Sequence, residues 1–283
     1  MYMTTDTLEL REKYLRSAMF PTIFCTGCGI GNVLHYTIQA IDNVGLDITQ
    51  TIFVSGIGCS SRLPGYVKAD GLHTTHGRAL AFATGIHAAN PNLHIIVFTG
   101  DGDCVGIGGN HFIHAIRRNI DVTVIAVNNF TYGMTGGQVA PTTPRHAYTT
   151  TTPYGNVEHP FDMSVLAKAA GAPYVARWSV THPYQPIKSI EKGLKRKGFA
   201  FIEILSPCPT AYGRYNKLRD IEEMWKWYRE NVILIEEYNR IMEYGTEEEK
   251  EAVQEKITIG EFVDIEKPEF MDEWKLLVER TRK

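Results

Sequence analysis

LHIIVFTGDGDCVGIGGNHFIHAIRRNIDVTVIAVNN, residues 93–129, contains the repeating unit of the fold. An apolar run, LHIIVFTG, stops at glycines and an acid. GGNHFIHAIRRN follows with apolar residues at helical spacing, and DVTVIAVNN is a second apolar run. Strands with no polar alternation are those buried on both faces, as in a parallel sheet whose crossovers are helices. The same alternation extends from about residue 30 to 207. Upstream lie IGNVLHYTIQAIDNV (helix), TIFVSGIG (strand) and TTHGRALAFATGIHAAN (helix). Downstream lie MSVLAKAAG (helix), YVARWSV (strand), PIKSIEKGLKRKG (helix) and FAFIEILSP (strand). The pattern predicts an α/β fold, a parallel sheet flanked by helices on both faces. Residues 1–218 read as one domain and the charged segment 219–283 as a C-terminal helical extension packed on the core or on a partner. Inside the first of these, 129–160 is a long Gly/Thr/Pro loop, and such loops inside a compact domain are usually functional.

The 283 residues suffice for a large core, and 43% hydrophobic with 22% charged residues is ordinary for a globular chain. A formal net charge of −3 argues against a general nucleic-acid binder. No apolar run approaches a membrane span, and the polar start MYMTTDTLELREKYLRS lacks a signal core, so no membrane contact and a cytoplasmic location are expected.

Cys59, Asp101, Asn129 and Cys208 each follow the C-terminal end of an expected strand. In an open parallel sheet those ends form the ligand-binding edge. The glycines of GDGDCVGIGG let a backbone approach a diphosphate, and the next helix offers its N-terminus. A carboxylate there would repel phosphate unless a cation lies between, and magnesium suits that place. There is no P-loop motif, and GIGCSS lacks the third glycine of a dinucleotide fingerprint.

Five cysteines are present: Cys25, Cys28, Cys59, Cys104 and Cys208. Their number and spread disfavour a disulfide framework. If the CTGC loop folds over the ligand edge, four thiols can meet there. Such a set suits structural zinc or a cubane iron–sulfur cluster, with unliganded thiols as the remaining reading.

GDG…NN, each half at its own strand end, resembles the thiamine diphosphate–magnesium motif. That resemblance makes Asp101 and Asn129 side-chain ligands of Mg2+ and Thr131 a backbone ligand. The wider series CTGCGIG, GIGCSSRLPGY, LHTTHGRALAFATG, TGDGD, NNFTYGMTGGQVAPTTP and SPCPT covers about residues 20–220. It resembles the β subunits of 2-oxoacid:ferredoxin oxidoreductases, and CPT-x-YGR-x-N is closer to the 2-oxoglutarate branch than to the pyruvate branch. The resemblance implies a thiamine-diphosphate-binding fold and one [4Fe–4S] cluster on Cys25, Cys28, Cys59 and Cys208. It implies oxidative decarboxylation of a 2-oxo acid, with coenzyme A taking the acyl group and ferredoxin the electrons. Gly58, Cys59, Ser60, Ser61 and His76 are the expected cofactor contacts from the first half. Gly100, Asp101, Gly102 and Asp103 come from the GDG loop. Asn129, Thr131, Tyr132, Gly133, Met134 and Thr135 come from the loop after NN. Cys59 and His76 are the candidate catalytic residues.

Bland readings apply elsewhere. Cys104 reads as a small buried residue, and His111 and His114 as helix packing. His73 lies in a loop, and Arg214, Lys217 and Arg219 read as a solvated patch, with a substrate carboxylate as the sharper alternative. No second cofactor domain is visible, so the glutamate that activates thiamine is expected from an α subunit, in an αβ or (αβ)2 assembly. Rival readings are a non-oxidative thiamine enzyme, with free cysteines, and a zinc-stabilised binding protein.

Overall fold

The computed structural model describes residues 7–282. Helix α1 (Thr7–Tyr14) leads to α2 (Ile30–Val44), β1 (Thr51–Ser55), β2 (Asp70–His73), α3 (Ala79–Ala89), β3 (His94–Gly100), α4 (Gly109–Arg118) and β4 (Val122–Asn128). A small hairpin, β5 (Thr131–Tyr132) and β6 (Gln138–Val139), lies in the long loop. Then follow α5 (Met163–Ala169), β7 (Tyr174–Ser179), α6 (Tyr184–Lys195) and β8 (Phe199–Leu205).

The main sheet runs β2-β1-β3-β4-β8-β7 and then takes in two strands of the tail. All pairs among those six strands are parallel. Successive residues of β3 face opposite layers. Ile96 and Phe98 pack under α2 and α6, while Ile95 and Val97 pack under α3, α4 and α5. Helices therefore cover both faces, as the unbroken apolar strands require. Phe53 and Phe98 stack with centroids 5.9 Å apart, each fully buried and contributing about 2–3 kcal/mol of transfer free energy.

The tail is not wholly helical. It comprises α7 (Ile221–Glu230), β9 (Val232–Leu234), α8 (Ile235–Tyr244), α9 (Glu247–Val253), β10 (Ile257–Asp264) and α10 (Phe270–Thr281). β10 pairs antiparallel with β7 and carries β9 at its other edge. The cause is legible in ITIGEFVD, where Ile257, Thr258, Ile259, Phe262 and Val263 bring β-branched and aromatic residues into a charged helical stretch. α7 packs on the core: Met224 and Tyr228 are fully buried, and Trp225 Nε1 donates to the Gly27 carbonyl at 2.9 Å. β2, an exposed edge strand of sequence DGLH, also replaces an expected loop. Its composition is poor for a strand, and pairing with β1 supplies what propensity does not.

Asp121 precedes β4 and accepts from the Gly198 N–H at 3.2 Å. Burial pushes its carboxyl up to about 6, against the opposing pull of His87 and Lys197 and with Glu269 adding to the rise. The folded chain thus holds this proton more tightly than the unfolded chain, whose carboxyl titrates near 3.8. Stability from this group falls as pH rises from about 4 to about 6 and then levels off. Asp121→Asn should therefore raise stability at pH 7 by about 1–2 kcal/mol, with no gain near pH 4, as read by thermal denaturation at both values.

Candidate functional site

β1, β3, β4 and β8 are neighbours in the sheet, so the loops after them meet at one edge. A cavity of about 150 Å³ opens there. Its polar lining comprises Gly58, Cys59, Ser60, His76, Gly100, Asp101, Gly102 and Asp103 from the first three loops. Asn129, Thr131, Tyr132, Gly133, Met134 and Thr135 come from the loop after β4, and Ile30, Ile57 and Val127 add apolar walls. Ser61 does not join them. It lines a neighbouring pocket with Arg16, Arg62 and His73, and its buried Oγ finds no hydrogen-bond partner among the described residues.

Asp101 begins the turn after β3 and is 3% exposed. Its Oδ1 accepts from the Gly102 N–H at 2.8 Å and its Oδ2 from Thr142 Oγ1 at 2.6 Å. Burial pushes its carboxyl up to about 6, which these two hydrogen bonds only partly offset. Among the described residues no basic side chain pairs with it. A buried carboxylate without a basic partner is costly to ionise, which suits Asp101 to facing a cation. Asn129 turns its Oδ1 to the Thr131 N–H at 3.3 Å, which sets the two expected ligands side by side.

Gly102 serves a purpose beyond phosphate approach. A Cβ there would lie 2.1 Å from Tyr132 Cε1, so the missing side chain lets the tyrosine ring lie on the turn. Tyr132 in turn meets His76 edge to face at 6.1 Å.

Asp103 acts as the tie between loops. Its Oδ1 accepts from His76 Nδ1 (2.7 Å), Gly77 N–H (2.7 Å) and Ile57 N–H (3.1 Å), and its Oδ2 from Thr99 Oγ1 (2.7 Å). Gly56 allows this approach, since a Cβ there would sit 2.1 Å from Asp103 Oδ2. The bond fixes the proton of neutral His76 on Nδ1 and leaves Nε2 as an acceptor at the cavity wall. Asp103→Ala would strand these four donors, of which the Gly77 N–H and Thr99 Oγ1 are buried. It should cost about 3 kcal/mol or more and lower the melting temperature accordingly, as calorimetry would show.

A second cavity, of about 240 Å³, is lined by Cys25, Cys28, Cys59 and Cys208 with Ile23, Phe24, Pro209 and Thr210. It shares Ile30, Cys59, Asn129, Gly133 and Met134 with the first. The CTGC loop does fold over the ligand edge, held by the Cys28 N–H to Cys25 carbonyl bond at 3.0 Å and by Trp225 of α7. None of the four is in a disulfide. Burial pushes the Cys28 thiol up to about 12 and the Cys59 thiol up to about 11, and the neighbouring cysteines add to both rises. Burial raises Cys208 as well. Burial thus disfavours bare thiolates at these three positions.

Other candidates lie apart. Cys104 is buried among the apolar residues beneath α3 and α4. His73, at the end of β2, bonds Ser55 Oγ at 2.9 Å. His111 and His114 are half-buried on α4, and among the described residues no group of three or more His, Cys, Asp or Glu side chains could hold a single metal ion. Arg214, Lys217 and Arg219 line neither cavity. Sequence reasoning missed Thr142, which reaches Asp101 from far along the loop, and Thr210, 3.6 Å from Cys25 Sγ.

Residues 56–204 match the thiamine pyrophosphate enzyme family, in its C-terminal TPP binding domain. The chain is 53% identical over 270 residues to 2-oxoglutarate synthase subunit KorB of Methanocaldococcus jannaschii, covering 95% of this chain and 97% of that protein. To the 2-oxoacid:ferredoxin oxidoreductase subunit beta of Saccharolobus solfataricus it is 43% identical, over 76% of this chain and 68% of the relative. A solved 2-oxoglutarate:ferredoxin oxidoreductase from Magnetococcus marinus, with 2-oxoglutarate, coenzyme A and succinyl-CoA bound, superposes with a TM-score of 0.82 at 32% identity. That match covers 96% of this chain and 90% of the other. With fold and sequence in agreement, the chain belongs to the thiamine pyrophosphate enzyme family, among the β subunits of the 2-oxoacid:ferredoxin oxidoreductases.

Proposed function

We propose that this chain is the cofactor-binding subunit of a cytoplasmic, coenzyme A-acylating oxidoreductase that converts 2-oxoglutarate to succinyl-CoA and carbon dioxide and reduces ferredoxin. The carrying observation is the shared wall between the Asp101–Asn129–Thr131 cavity and the four-cysteine cavity. Thiamine diphosphate supplies a nucleophilic carbon for decarboxylating a 2-oxo acid, and a [4Fe–4S] cluster accepts electrons singly.

The Asp101 carboxylate, the Asn129 side-chain oxygen and the Thr131 carbonyl would hold Mg2+ at the diphosphate. Ile30, Ile57, Val127 and Met134 give that cavity an apolar wall that limits water. His76, with its Nδ1 proton committed to Asp103, can accept a proton or hydrogen bond only at Nε2 while neutral. Cys25, Cys28, Cys59 and Cys208 would hold the cluster. Four cysteine thiols lining one cavity suit a [4Fe–4S] cluster. An α partner would bring the activating glutamate and contacts for coenzyme A.

Anaerobic purification with iron, sulfide and zinc analysis tests this reading. About four iron and four sulfide per chain, with a visible band bleached by dithionite, is the expected result. The complex with its α partner should then oxidise 2-oxoglutarate faster than pyruvate, and the chain alone should oxidise neither. A colourless zinc protein would overturn the redox assignment, and faster turnover of pyruvate would overturn the substrate.

A further inference from the structure

Glu203, in the middle of β8, is a carboxylate at 1% exposure. Its Oε2 accepts from Arg177 Nε at 2.8 Å and Ser164 Oγ at 2.6 Å. Its Oε1 accepts from Asn128 Nδ2 at 2.9 Å. Arg177, 3% exposed on β7, also donates to the Thr258 carbonyl of β10 at 3.1 Å and pairs with Asp162. Asn128, the first residue of the NN pair, uses its remaining Oδ1 to accept from the Phe130 N–H at 3.2 Å.

That last bond falls where the chain needs it. Phe130 has φ +62°, a left-handed conformation that a bulky residue rarely adopts. The turn buries its ring between Tyr212 and Tyr228 and leaves both neighbours, Asn129 and Thr131, at the cavity. An ion pair buried this deeply adds little net stability against an apolar pair of the same size. Its place in the chain of bonds suggests another use.

We propose that Asn128, anchored by the Glu203–Arg177 pair, is a positioning residue that locks the left-handed turn at Phe130 and so presents Asn129 and Thr131 to the metal. The inference rests on the magnesium–thiamine diphosphate reading above. It also gives the tail a part in the site, because Arg177 is tethered to β10. Loss of an outer partner of a metal ligand typically weakens the site about 10–100-fold.

The test is Asn128→Ala in the assembled complex. The dissociation constant for thiamine diphosphate at saturating Mg2+ should rise about 10–100-fold, and the Mg2+ requirement should rise with it. Amide hydrogen exchange at residues 129–133 of the cofactor-free protein should quicken, a readout that does not depend on cofactor binding. Unchanged exchange, or an affinity within twofold of the parent, overturns the proposal. If Asn128→Ala fails to fold, the double variant R177M/E203L replaces the pair with apolar residues of similar size and removes the anchor. It should show the same loss of affinity, and parental affinity in it overturns the proposal. A parent that does not bind thiamine diphosphate refutes the metal-site reading instead. Unchanged exchange in Asn128→Ala would refute the brace alone.

Discussion

Asp101→Asn should bind magnesium–thiamine diphosphate roughly a thousandfold more weakly than the parent, yet be more stable than the parent when no cofactor is present. The binding loss follows from charge. Opposite unit charges about 4 Å apart at an effective dielectric of about 20 attract by about 4 kcal/mol, or three factors of ten in affinity. The stability gain follows from burial. Asp101 is 3% exposed, and burial lifts its carboxyl to about 6 from 3.8 in the absence of a cation. The cofactor-free fold therefore loses stability as pH rises from about 4 through about 6, because ionisation is harder in the folded state than in the unfolded one. Asparagine is exempt from that cost and keeps an oxygen for the Gly102 N–H. The melting-temperature gap between variant and parent should be closed near pH 4, widen as pH rises, and reach its full width by about pH 6. In the parent, cofactor affinity should fall as pH drops below about 6, where a proton competes with the metal. Calorimetric titration and melting curves across this range read both effects. Binding within tenfold of the parent would remove Asp101 from the metal site.

This opposition between stability and binding marks residues kept for function, and it explains which parts of the site were legible in the sequence. The central strands are apolar runs buried on both faces, so β1, β3, β4 and β8 could be read from composition and their ends placed on one edge. That placement brought Cys59, Asp101, Asn129 and Cys208 together before any coordinates did. What stayed hidden depends on tertiary pairing. β2 forms because β1 offers an open edge, and the short β-branched and aromatic run of β10 was masked by charged helices on both sides. Ser61 left the expected site because the tight helical turn from Ser60 to Tyr66 sends consecutive residues to different pockets. Thr142 carries no local signal, and the NN pair that contains Asn128 does not reveal its partner. Each acts through a partner distant in sequence, Asp101 for the first and Glu203 for the second.

The two cavities share Cys59 but not Cys208, and that asymmetry makes the cysteine assignment testable in detail. Cys208→Ser should lose the iron and the visible band and cut ferredoxin reduction by at least about a hundredfold, more than loss of an outer-shell partner would cost. A serine oxygen is a hard, weakly acidic donor and replaces a soft thiolate poorly. Thiamine diphosphate affinity should stay near the parent value, because Cys208 faces only the second cavity. Cys59→Ser should lose the iron too, but it should also weaken thiamine diphosphate, since Cys59 forms part of the dividing wall. Cys104→Ser, buried in the other core layer, should leave iron, colour and cofactor affinity alone and lower stability only. If Cys208→Ser keeps its iron, the fourth ligand lies elsewhere. If both variants lose iron yet bind thiamine diphosphate equally well, the dividing wall carries no functional coupling. The expected paired outcome is iron lost in both and thiamine affinity lost only with Cys59, because Cys59 alone of the two lines both cavities.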